Sequence, residues 1–177
     1  VFVTDAERAQ RMTDKARDYG ARALCLRDAA ICQARSKSYD DFVAALAGLR
    51  RGEVPALYTY ASAWSGWIQV HGSDWAAIAD LPKVEAAMRR VVALDESYDR
   101  GGAHLYLGVL NSLRPPALGG KPEQGQAHFL RAIELSGGRN LMAKVQYAEK
   151  YARLVFDRPL HDRLLNEVIA ADAVEPG

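Results

Sequence analysis

The chain has 177 residues, enough for one sizeable core, and 49% of them are hydrophobic while 25% are charged, as in an ordinary globular protein. Its 23 Lys and Arg nearly balance 22 Asp and Glu, which leaves no broad basic surface for nucleic acid. No apolar run approaches the ~18 residues of a membrane-spanning helix.

Residues 5–34 are rich in Ala, Arg and Leu and read as one long helix, with Asp5 able to cap it and Gly20 marking a kink or a close contact. Cys25 and Cys32 lie in this stretch; in one intact helix their Cα atoms stand about 10 Å apart, too far to bridge. They are expected to be free, buried core thiols, which leans slightly toward a reducing compartment. Tyr39–Arg50 forms a second helix, with Phe42, Leu46 and Leu49 on one face. Pro55 suits the first turn of a third, which ends near His71-Gly72. Ser73-Asp74 caps a short segment that Pro82 interrupts, and a cleaner helix then runs to Leu94. Further helices are predicted over Gly102–Leu113, from Pro122 to Gly137-Gly138, over Asn140–Phe156 and over Pro159–Ala171. Nothing alternates with period two, so the fold class is all-α. Residues 1–4 and 173–177 are expected to fray.

A recurring register organises these helices. Val84, Met88, Val91 and Leu94 in one, and Gly125, Phe129, Ala132 and Leu135 in another, follow the small-large-small pattern of a tetratricopeptide second helix. The offset from Val91 to Ala132 exceeds the ~34-residue period by about seven. The Pro- and Gly-rich connection Arg114-Pro115-Pro116-Ala117-Leu118-Gly119-Gly120 accounts for the excess. Leu107-Gly108, and Ala148 with Tyr151, suit the first helix of such repeats. Residues 1–177 are therefore read as a single tetratricopeptide-like helical-repeat domain, an α-α superhelix.

Reaction chemistry is hard to find. His71, His104, His128 and His161 never fall three or four apart on one helix, so a metal site would need distant segments, and none is expected. There is no Gly-x-Ser-x-Gly elbow or phosphate-cradling loop after a strand. Glu85, Asp95, Glu123 and Glu134 read as solvated faces and caps. No cofactor is expected.

Aromatic residues are the unusual groups. Tyr60, Trp64 and Trp67 fall on one face of the third helix, either as packing between repeats or as the wall of a ligand cavity. With Gly108 as the small residue, Leu105, Val109, Ser112 and Leu113 face a mostly apolar groove, which disfavours a clamp for a peptide carboxylate. Tyr60, Trp64, Trp67, Leu105, Val109, Leu113, Tyr147 and Tyr151 are the candidate ligand-binding residues.

Several segments resemble a known family. Ala56-Leu57-Tyr58 with Trp64-Ser65-Gly66-Trp67, Ala79–Glu85, Gly101-Gly102-Ala103-His104-Leu105-Tyr106-Leu107-Gly108, Glu134–Leu141 and Lys144–Glu149 look like the T component associated with tripartite ATP-independent periplasmic (TRAP) transporters. The distinctive mark is Arg114-Pro115-Pro116-Ala117-Leu118-Gly119-Gly120, and the resemblance spans residues 14–172. It implies a periplasmic, lipid-anchored helical-repeat protein without enzymatic activity, its anchoring cysteine upstream of Val1. It further implies a homotrimer that partners a periplasmic solute-binding protein and holds a small hydrophobic ligand. Lys121 departs from the pattern, standing where a capping Asp or Asn is expected before Pro122. Arg114, Pro115, Pro116, Leu118, Gly119 and Gly120 form the candidate partner-binding loop, since a long ordered connection in a repeat array is usually functional. Binding to nucleic acid is not expected, nor membrane contact beyond the anchor. The alternative functions are a tetratricopeptide scaffold that binds peptides and, in another class, a helical enzyme.

Overall fold

A computed structural model describes residues 6–171 and divides the chain into two units, Val1–Tyr98 and Asp99–Gly177. The described residues are mostly helical, joined by turns and short irregular links, with no strand among them. Asp5 and the ends expected to fray lie outside the described residues.

The first unit contains α1 (Ala6–Cys25), α2 (Ala29–Ala34), α3 (Tyr39–Gly48), α4 (Val54–Val70), α5 (Trp75–Ala79) and α6 (Leu81–Asp95). Local chemistry sets most of these bounds. Asp28, Ser38 and Asp74 accept from the amides of Ile31, Asp41 and Ala76, satisfying N–H groups that have no partner inside their helices. Pro55 and Pro82 sit in first turns, where a missing N–H costs nothing. α4 is central and packs against both α1 and α6. At its contact with α1, a Cβ on Gly20 would stand 2.9 Å from the Tyr60 Cα, so only glycine admits this approach. Phe42, Leu57, Val84, Met88 and Val91 are fully buried around α4.

One long helix over 5–34 does not form. The chain closes α1 with Asp28 N–H donating to Leu24 O at 3.0 Å, exposes Leu26, and restarts at the extended Asp28. The rise per residue that separated the two cysteines therefore does not apply across the break. Cys32 folds back on Cys25, with Cα atoms 4.7 Å apart and a disulfide between them. The expectation of free thiols is thus corrected.

The second unit opens on three successive residues at positive φ, Asp99, Arg100 and Gly101. It continues through α7 (Gly102–Asn111), α8 (Pro122–Leu135), α9 (Leu141–Gln146) and α10 (Arg158–Ile169). Gly137 and Gly138, both at positive φ, end α8. Asn140 and Asp157 cap α9 and α10. The helix expected over Asn140–Phe156 changes character partway. Tyr147–Ala152 is π-helical, with Arg153 N–H reaching back to Ala148 O and Asp157 N–H to Ala152 O. Phe156, at φ 58, ends the segment.

Candidate functional site

In the first unit the three aromatic residues of α4 separate into two environments. Tyr60 and Trp64 are each 3% exposed. Their rings lie 5.2 Å apart, and Phe42 meets Trp64 edge-on at 6.0 Å. Trp67 is half-buried and ties α4 to α1. Its indole N–H donates to Asp14 Oδ1 at 2.7 Å, the Arg17 guanidinium lies 3.7 Å from its ring centroid, and His71 stacks against it at 4.4 Å.

Tyr60 and Trp64 line a cavity of about 170 Å³ together with Arg17, Asp18, Ala21, Arg35, Ser36 and Asp80. Trp67 does not line it. Burial pushes the Tyr60 phenol up to about 12, partly offset by Arg35 and Arg17. Two donors here lack an acceptor: Trp64 Nε1 and Arg35 Nε are buried without hydrogen-bond partners. Both arginines escaped the sequence reading. The turn at Leu26–Asp28 sends Arg35 back, placing its guanidinium 5.4 Å from the Tyr60 ring, and no local pattern announces that return.

In the second unit Leu105 and Val109 pack, partly buried, on a cluster of Phe129, Tyr147, Ala148, Ala152, Leu160 and Leu164. The Tyr147 ring stacks on Phe129 at 5.3 Å, and its hydroxyl accepts from Gln126 Nε2 at 2.9 Å. Tyr151 lies 5.3 Å from Tyr147, and burial raises its phenol above the ordinary range. Four of the predicted ligand-binding residues thus meet, while Leu113 projects outward at 44% exposure. A larger hollow of about 560 Å³, unmarked in the sequence, lies beside the exposed Phe156 at the start of α10.

The two histidines of α7 and α8 also meet. His104 and His128 approach with Nδ1 atoms 2.8 Å apart. That spacing is a hydrogen bond; two nitrogens bound to one tetrahedral zinc at ~2.05 Å would stand roughly 3.3 Å apart. No group of three or more His, Cys, Asp or Glu suited to a metal occurs among the described residues.

The connection between α7 and α8 folds onto itself. Leu118 and Gly120 N–H both donate to Pro115 O, Gly119 N–H donates to Pro116 O, and Lys121 N–H donates to Asn111 O at 2.9 Å. Gly119 takes φ 79, and any Cβ on Gly120 would overlap the Arg114 carbonyl. Both glycines are therefore required by the backbone. Residues 114–119 are exposed, with Leu118 at 65%. Lys121 supplies no side-chain cap to α8, as its departure from the family pattern implied.

The family model of the TRAP transporter T-component matches residues 3–177. The chain belongs to that family. Among curated proteins none matches it. As a T component it is an accessory part of a TRAP transporter system, in a family not known for enzymes. The Pro-Pro-Ala-Leu-Gly-Gly loop, the distinctive mark of the resemblance, is held by its own backbone hydrogen bonds. No helix of the described residues is long and apolar enough to cross a membrane.

Proposed function

We propose that this T component is a non-enzymatic docking protein of the periplasm, tethered by a lipid anchor and assembled as a homotrimer of tetratricopeptide-like helix pairs. It engages the transporter's solute-binding protein through residues 114–120 and holds a small hydrophobic ligand. The observation that carries docking is the loop itself. It combines an apolar tip at Pro115, Pro116 and Leu118 with a backbone closed by four hydrogen bonds, so little conformational entropy is lost when a partner covers it. The Cys25–Cys32 disulfide supports an oxidising compartment such as the periplasm. Close helix approach at Gly108 and Gly125 supports the repeat reading, because tetratricopeptide pairs need small residues at such crossings. The partly buried Leu105, Val109 and Tyr151 support an apolar ligand surface in the second unit.

Co-purification from the cell envelope tests this reading. The protein is expected to bring down a TRAP solute-binding protein and to run as a trimer in light-scattering measurements. A monomer with no such partner at high micromolar concentration would count against it.

A further inference from the structure

We infer that the cavity between α1, α2 and α4 is a binding site for a small carboxylate. Trp64 Nε1 and Arg35 Nε are both buried without a partner, and both residues line this one cavity. Each is a donor that cannot accept, so the missing partner is an acceptor. A buried donor left unpaired is costly, and native interiors seldom tolerate two of them together. Two unpaired N–H donors on side chains that line one space suit a group carrying two oxygens, and a guanidinium favours a charged one.

The surroundings agree. Arg17 adds a second cation, while Asp80 is engaged by Lys83 Nζ at 3.7 Å and Asp18 lies exposed at the rim. A neighbouring hollow of about 330 Å³ shares Asp18, Ala21 and Arg35 and adds Lys15 and Arg22, so the approach is cationic. Tyr60 keeps its proton through the physiological range and brings no opposing charge. The volume, about 170 Å³, holds roughly five or six waters at ~30 Å³ each, or one short-chain acid. Arg35 is positioned by the Tyr60 ring and by Cys25 Sγ, 3.9 Å from its Nη1. Both donor atoms are themselves buried, so an acid in the cavity engages them as the half-buried Arg35 side chain shifts aside.

This site is independent of docking through residues 114–120, and its test does not read docking. The intact disulfide-bonded protein, labelled with ¹⁵N, is titrated with acetate, propionate and succinate. Acetamide and propionamide serve as neutral isosteres, and chloride and phosphate as ionic controls. The Trp64 indole signal is assigned by eliminating those lost in Trp67→Phe and Trp75→Phe. Carboxylates are expected to move it saturably while the amides and chloride leave it in place. Arg35→Gln is expected to weaken binding by about tenfold, and Arg35→Lys by less. No response to any probe would mean that water alone satisfies the two donors and would overturn the assignment. An equal response to phosphate or to the amides would overturn the carboxylate class.

Discussion

Gly108 lies so close to Phe129 that a Cβ built on it would stand 2.7 Å from the ring's Cδ1. Phe129 is fully buried and stacked on Tyr147, so the ring has nowhere to retreat. Gly108→Ala is expected to destabilise the protein by about 1–3 kcal/mol despite alanine's better helix propensity. Gly66 in α4 faces open space, and Gly66→Ala is expected to stabilise by roughly 0.5–1 kcal/mol. Urea unfolding of the two variants should therefore give midpoint shifts of opposite sign.

Trp64 and Trp67 should separate as cleanly. Trp64→Ala removes a ring that is 3% exposed and packed on Phe42 and Tyr60, at a cost of about 3–5 kcal/mol. Trp67→Ala loses the Asp14 hydrogen bond and the Arg17 and His71 stacking at a half-buried position. That variant should lose about 1–2 kcal/mol. Equal losses in denaturant titrations would contradict the two environments.

The Cys25–Cys32 disulfide closes a short loop, with a sequence separation of 7. Constraint of the unfolded chain predicts about 2 kcal/mol of stabilisation. Dithiothreitol, or Cys25→Ser with Cys32→Ser, should lower the unfolding midpoint of the first unit accordingly. Ellman titration of the untreated protein in denaturant should find no free thiol.

Asp95 offers a pH test. A hydrogen bond from Ser97 first, and the Arg51 guanidinium second, hold its carboxyl below the usual range. A depressed carboxylate adds stability that is present above its unfolded pKa and is lost as pH falls through the folded value. Ser97→Ala should raise the Asp95 midpoint in an NMR titration, and Arg51→Ala should raise it less. An unchanged midpoint in Ser97→Ala would contradict the assigned cause.

What could be read in the chain was chemistry confined to a few neighbouring residues. Asp74, Pro55, Pro82 and the Gly137-Gly138 pair act within one turn, and each marks an end that the structure keeps. Leu26, Arg27 and Asp28 are tolerated inside helices, so nothing at that point revealed the turn that makes the disulfide. The π-helical turn at Tyr147–Ala152 rests on a shift of hydrogen-bond register that composition does not encode. The candidate sites follow the same division. The aromatic face of α4 was visible from spacing. Arg17 and Arg35, which give its cavity a charge, come from elsewhere in the chain and meet it only after folding. The Leu105, Val109, Tyr147 and Tyr151 cluster was legible as apolar, but its assembly on Phe129 was not.

Docking through the loop is the central claim, and Leu118 tests it most directly. Leu118 is 65% exposed, so Leu118→Asp should leave thermal unfolding unchanged. Calorimetric titration with the transporter's solute-binding protein should then show affinity reduced by tenfold or more, about 1.4 kcal/mol or above. Undiminished affinity in a folded Leu118→Asp variant would contradict the account.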